Sequence, residues 1–381
     1  MRISAKILLV IYFFAYIFIL TGCATGQISS SGLSQAKGKI SFESVCEEIL
    51  ATPEEKIDIG RYALLLTKAV YPEVDIEYAL RKLDEMADEV RPRLKGITDP
   101  QKIVDVLNNY FFEELGFQGL GFGDDKDRRH FMLHYALLSK QAHCVTVGII
   151  YLCLAERLNL PIYGVVVTGH FFVRYDDGKT MINIDTTYER GKNIPDEEYL
   201  RKFVLLNKEI SKETRNRLLR NMTKKEAIAE YILNALITSF LRESKDDYET
   251  ALKYIDYAIK LYSDAYDGYG KKGAILSFIG AEKKDINITK EGLNYLLKSY
   301  EIYPYYCETI GIIAVTYYDL GDYDNCLKRI REIFDTFPYD EISKIRDGDE
   351  IPWLKDLKRR CEEKLGKSSN GISDTPKIGI K

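Results

Sequence analysis

The sequence predicts an α+β domain followed by an all-α stack of helices. Three observations carry that expectation. One stretch, residues 162–185, alternates like paired strands inside an otherwise helical first half. The run just before it, from Cys144 to about Leu158, is apolar nearly all round, as a helix buried at the centre of its domain would be. From about residue 222 onward the periodicity is purely helical. The length of 381 residues suggests two or three domains, and 46% hydrophobic with 29% charged residues is ordinary globular composition. The net charge of −4 with no basic stripe excludes nucleic acid as the main partner.

At the N-terminus, Arg2 and Lys6 precede an uncharged, mostly apolar run from Ile7 to Leu20, which fits a signal-peptide core and is short for a membrane span. Leu20-Thr21-Gly22-Cys23 resembles the bacterial lipoprotein cleavage motif. That resemblance implies a signal peptide over residues 1–22, lipidation at Cys23, and an envelope protein anchored to a membrane and facing the periplasm or exterior. Ser/Gly-rich residues 23–40 are expected to be a flexible tether.

The α+β domain is expected over residues 41–215. FESVCEEILA, IDIGRYALLLTKAV, IEYALRKLDEMADEVRPRLK and PQKIVDVLNNYFFEELGF each place apolar residues at helical spacing. Gly-rich QGLGFGDD then breaks the pattern, and a short helix is expected before Cys144. After the buried helix, IYGVVVTG reads as a strand. HFFVRYDDGKTMINID reads as a hairpin turning at Asp177-Gly178, the signal for a two-residue turn. That turn would pair Asp176 with Lys179 and set His170 directly opposite Asp185, with Cβ atoms about 4.5–5.5 Å apart. Arg174 and Asn183 fall on the same face.

Cys144, at a helix start, would have its sulfur near unpaired N–H groups and the positive end of the helix dipole, which favours thiolate. With His170 as base and Asp185 as orienter, it forms a nucleophile–base–orienter set suited to acyl transfer. The backbone N–H of Cys144, with Gln141, is the candidate oxyanion donor. His143 is expected to cap the helix or face solvent. Of the seven cysteines, Cys153, Cys307 and Cys326 sit at helix-pattern positions and are expected to be buried, and the spacing indicates no disulfide framework. No metal or cofactor motif occurs, since the four histidines are scattered and no carboxylate cluster has ligand spacing.

In the helical region, expected over residues 222–365, ETALKYIDYAIKLYS, KEGLNYLLKSYEIYP and DNCLKRIREIFDTFP align with Ala251, Gly292 and Cys326 at one small-residue position. The intervals are 41 and 34 residues, with EKKDINI as an insertion in the first. A period of 34 with a terminal Pro resembles the tetratricopeptide repeat, which implies a solenoid whose face binds a protein or peptide. Residues 366–381 are expected to be a disordered tail.

The order of Cys-led helix, Leu158-Asn159-Leu160-Pro161 turn, His170 strand and Asn183-Ile184-Asp185-Thr186 resembles the transglutaminase-like superfamily, whose core is papain-like. Gly169 to Tyr175 is similar to a bacterial branch that joins this core to tetratricopeptide repeats. Ala142-His143-Cys144 stands where such cores usually carry Gly-x-Cys, and His170-Phe171-Phe172 where they carry His-Ala-Trp. The resemblance implies transglutamination, deamidation, or peptide or amide hydrolysis by a Cys144–His170–Asp185 triad. The alternative is a non-catalytic envelope scaffold acting through its repeats. A peptidoglycan-related role is suggested by location alone.

Overall fold

The computed structural model describes residues 40–120, 127–204, 210–244, 247–337 and 352–366. The expected signal peptide, the lipidated Cys23, the tether up to residue 39 and the tail beyond residue 366 lie outside these residues. Among the described residues, no helix is long and apolar enough to cross a membrane.

The first half opens with α1 (Phe42–Ala51), α2 (Ile59–Val70), α3 (Ile76–Val90) and α4 (Pro100–Asn108). Each begins on a polar cap, Ser41, Asp58, Asp75 and Asp99, whose side-chain oxygen accepts a first-turn N–H. The third expected helix stops short of Lys95. A 3₁₀ turn over Arg91–Leu94 takes over, with Pro92 unable to donate the next hydrogen bond. The fourth gives way to a π-helical turn over Asn109–Glu114, which buries Tyr110, Phe111 and Phe112 together.

The Gly-rich stretch expected to be irregular contains a short strand, β1 (Gln118–Leu120). After α5 (Leu133–Ser139), β2 (Gln141–His143) pairs with β1 in parallel. The pairing carries the chain directly into α6 (Cys144–Arg157). Every residue of α6 from Cys144 to Ala155 is buried, as its all-round apolarity required.

Against α6 packs an antiparallel sheet of β3 (Ile162–Val167), β4 (His170–Asp176) and β5 (Met181–Ile184), in that order. Phe171 seats the sheet. Its ring fills a slot between Gly148 of α6 and Gly164 of β3, where an added Cβ would stand 2.5 Å and 2.7 Å from ring carbons. Side chains alternate across a strand. Phe171 therefore faces the helix while His170 and Phe172 meet Tyr199 and Phe203 on the other side.

The hairpin turn differs from the expected one. Asp176 pairs with Met181, so four residues, 177–180, form the loop. Asp177 explains it: its Oδ1 accepts the backbone N–H groups of Lys179 (2.9 Å) and Thr180 (2.8 Å), and these bonds hold open a longer turn. The register is offset by two residues from expectation. Because side chains repeat every two residues, an even offset keeps His170 and Asp185 on one face. Asp185 has by then left β5, and it meets the ring diagonally.

The remaining helices are α7 (Asp196–Tyr199), continued by a π-helical turn over Leu200–Val204, then α8 (Lys212–Leu218), α9 (Lys224–Tyr231) and α10 (Ile237–Glu243). From α11 (Tyr248–Leu261) through α12 (Tyr266–Lys283), α13 (Ile286–Ile302), α14 (Cys307–Asp319), α15 (Tyr323–Thr336) and α16 (Pro352–Lys364), the described chain is all-helical. The aromatic C-caps Tyr262, Tyr303 and Phe337 each lie 11 residues after Ala251, Gly292 and Cys326. The helix ends thus keep the spacing read from the sequence, and the extra residues lengthen the end of α12 and the start of α13. Gly292 is where α13 touches α12: a Cβ there would stand 2.5 Å from the Ser277 backbone nitrogen. Cys153 and Cys326 are buried, while Cys307 is only partly so.

The two halves are joined at specific points. Phe42 of α1 stacks on Tyr254 of α11, with centroids 3.9 Å apart. The Thr168 hydroxyl, in the β3–β4 turn, bonds the Tyr303 hydroxyl at 2.6 Å, and Arg217 of α8 donates to the Ile302 carbonyl at 2.6 Å.

Candidate active site

His170 is the first residue of β4, reached through a turn at Gly169, whose φ of +69° is the left-handed conformation glycine tolerates. Its side chain is fully buried. Nε2 lies 2.9 Å from Asp185 Oδ2 and donates to it. Asp185 is held from all sides: Oδ1 accepts the backbone N–H groups of Thr187 (2.9 Å), Tyr188 (2.7 Å) and Glu189 (3.0 Å), and the Tyr199 hydroxyl donates to Oδ2 at 3.1 Å. Burial opposes its charge. The His170 hydrogen bond and charge and the backbone donors outweigh that, and hold its carboxyl below the usual carboxylate range. The Phe203 ring stacks on the imidazole at 4.5 Å, with 5° between the planes, and fixes the ring orientation.

Cys144, 6% exposed, begins α6 beside this ring. Burial disfavours a charged His170. Hydrogen bonding to Asp185 and to Cys144, and the charge of both, overcome that and raise its pKa to about 9. With Nε2 committed to Asp185, Nδ1 is the nitrogen left for the thiol. It makes no hydrogen bond of ordinary geometry in the resting chain. Such contacts often close only when substrate arrives. A cleft opens here, lined on one side by Cys144, Val167 and His170, and on the other by Glu230, Asn234 and Tyr266 of the following helices.

The structure thus brings together Cys144, His170 and Asp185 from three separate elements. It does not bring Gln141 to them: its side chain is exposed on β2, and it is not among the residues lining the cleft. His143 occupies the N-cap position of α6, but its side chain makes no capping bond and does not face solvent. It is 5% exposed, with its ring stacked on Phe131 at 3.9 Å. Arg174 and Asn183 are structural. The guanidinium donates to Asn183 Oδ1, the Leu219 carbonyl and Asp196 Oδ1, each at 2.6 Å, which ties β4 and β5 to α7 and α8. Tyr199, Phe203 and Glu230 escaped the sequence reading, since each comes from an element whose approach no local pattern announces.

A family model described as the transglutaminase-like superfamily matches residues 77–232, which span α3 through α9 and include all three site residues. Residues 77–232 are a transglutaminase-like superfamily domain. Two UPF0162 proteins of Xylella fastidiosa, from strains Temecula1 / ATCC 700964 and 9a5c, are each 26% identical over 127 residues. The match covers 33% of this chain and 45% of theirs, so it spans less than half the length of these relatives. Among solved structures, the crystal structure of menin that reveals the binding site for Mixed Lineage Leukemia (MLL) protein is similar in fold. Its TM-score is 0.56 at 12% identity, over 88% of this chain and 85% of that one. The likeness therefore extends beyond the transglutaminase-like domain into the all-helical region.

Proposed function

We propose that the protein is a cysteine acyl transferase or amide hydrolase in which Cys144 is the nucleophile, His170 the acid–base group and Asp185 the residue that orients it. The observation that carries this reading is the His170 ring, fixed on one edge by Asp185 at 2.9 Å and raised in basicity by that bond and by Cys144 beside it. A protonated imidazole is the counter-charge a thiolate nucleophile requires. The thiolate attacks an amide carbonyl carbon. The oxygen becomes an oxyanion at the N-terminus of α6, where the Cys144 N–H has no intrahelical acceptor. As the tetrahedral intermediate collapses, His170 gives its proton to the departing nitrogen, and an amine leaves with a thioester at Cys144. Water or a second amine then attacks the thioester and surrenders a proton to His170, which restores the thiolate–imidazolium pair. Asp185 stays ionised throughout and stabilises the imidazolium.

On this reading Cys23 carries a lipid that holds the enzyme at the bacterial envelope, and the helical region, a solenoid of tetratricopeptide type, recruits the protein or peptide worked on. The test is to profile the wild type and Cys144→Ala on peptide, isopeptide and glutamine substrates. Turnover of one class by the wild type, with a loss of at least about 10³-fold in the variant, is expected. Equal activity in both would end the enzyme reading. The fold likeness to a protein whose structure reveals a partner-binding site favours a second reading, a binding scaffold. It requires Cys144→Ala to complement a gene deletion fully.

A further inference from the structure

The far wall of the cleft carries charge that the acyl-transfer chemistry does not use. Glu230, near the end of α9, is 4% exposed and lines the cleft together with Cys144 and His170. Its Oε2 accepts from Asn234 at 2.7 Å, and no cation lies within 4 Å of it among the described residues. Asp267, on the same wall, is bonded to Lys271, which also donates to Asn234 Oδ1 at 2.7 Å. Lys271 therefore matches one of the two carboxylates, and Glu230 is left over. A buried carboxylate without a counter-ion costs several kcal/mol. A strongly perturbed carboxyl lining a cleft marks a candidate binding group. Burial and the Asp267 charge push the Glu230 carboxyl up to about 7, and the Lys271 charge and the Asn234 hydrogen bond offset them only in part. That carboxyl sits in the cleft that Cys144 and His170 also line.

We propose that this cleft selects acyl substrates carrying a cationic side chain, lysine or arginine, beside the acyl group, with Glu230 as the counter-ion that receives it. The inference rests on the cleft being the substrate site of the proposed reaction. Tyr266 and Tyr306 line the same cleft, their rings edge-to-face with centroids 5.6 Å apart, and give apolar surface for an aliphatic stem. Glu230 and Tyr266 belong to α9 and α12, so the helices after the strands furnish the selectivity while α6 and β4 furnish the reacting groups.

Binding and turnover are measured separately, so that the two readings fail differently. Fluorescence anisotropy on Cys144→Ala uses labelled Gly-Ala-Xaa-Gln-Ala-Gly peptides with Xaa as lysine, norleucine or glutamate. The lysine peptide is expected to bind at least about tenfold tighter than the norleucine one, about 1.4 kcal/mol, with the glutamate peptide weakest. In Cys144→Ala/Glu230→Gln, folded by circular dichroism, the lysine preference is expected to vanish. The same peptides are then offered to the wild type for turnover. Lysine preference in binding without turnover would keep Glu230 as the receptor of a cationic side chain and defeat the acyl-transfer reading. Turnover without any preference, or equal binding of all three peptides, would overturn the inference. The three-peptide comparison needs no Glu230 variant, so it decides even if Glu230→Gln fails to fold.

Discussion

His170 is clamped between opposing demands, and its protonation is therefore coupled to folding. The ring is buried, yet its pKa stands at about 9, above the ordinary value near 6.5. A group whose pKa is higher folded than unfolded favours the folded state when protonated. Its contribution is complete below about pH 6.5 and is lost as pH rises through about 9. The wild type should thus lose stability between these limits, by about 1–3 kcal/mol, and His170→Gln should not. Chemical denaturation at pH 6.5, 7.5 and 9 checks this, and parallel curves for the two proteins would refute it. Asp185 behaves with the opposite sign: its lowered pKa gives stability that is present above the unfolded value of about 4 and fades on acidification. Tyr199, whose hydroxyl donates to Asp185, contributes without touching the thiol. Tyr199→Phe should cost about 1 kcal/mol by urea denaturation and shift the pH profile of turnover more than its maximum.

At the scale of elements, the seat of Phe171 between Gly148 and Gly164 fixes how β4 lies on α6, and thus how close His170 comes to Cys144. A methyl group at residue 148 would meet the ring at 2.5 Å. Gly148→Ala should accordingly cost about 1–3 kcal/mol and lower kcat, read by thermal melts and kinetics together. Cys326 and Cys361, on α15 and α16, have their sulfurs 3.2 Å apart. Oxidised glutathione should close that pair by exchange, and non-reducing peptide mapping would show the cross-link. Recovery of both thiols unpaired would contradict the packing of α16. Elements with one dominant pattern were legible in the sequence: α1 came from periodicity, α6 from all-round apolarity, and the β4–β5 face from alternation. The turn was not, because Asp177 acts through its side chain on backbone two and three residues on, which the Asp-Gly signal hides. Nor was β1, where Gly119 lies against Thr187, a partner remote in sequence. The His–Asp meeting survived the misread turn because an offset of two preserves the face.

Over the whole molecule, the cleft exists only because two regions meet. The triad residues come from α6, β4 and the segment after β5, and the opposite wall comes from α9 and α12. Phe42 on Tyr254, Thr168 on Tyr303 and Arg217 on the Ile302 carbonyl bind the regions together. Scanning calorimetry should therefore show a single cooperative transition, and two well-separated peaks would contradict that coupling. Sequence periodicity could announce each region but not their contact, which depends on side chains more than a hundred residues apart, such as Thr168 and Tyr303.

The most direct measurement of the central claim, that Cys144 is a nucleophile driven by His170, is intact-mass spectrometry of the protein exposed to a thiol-directed acyl ester. A single adduct mapping to Cys144 is predicted, absent in Cys144→Ala and formed at least about 100-fold more slowly in His170→Ala. An adduct spread over the other cysteines, or one formed as fast without the imidazole, would contradict it.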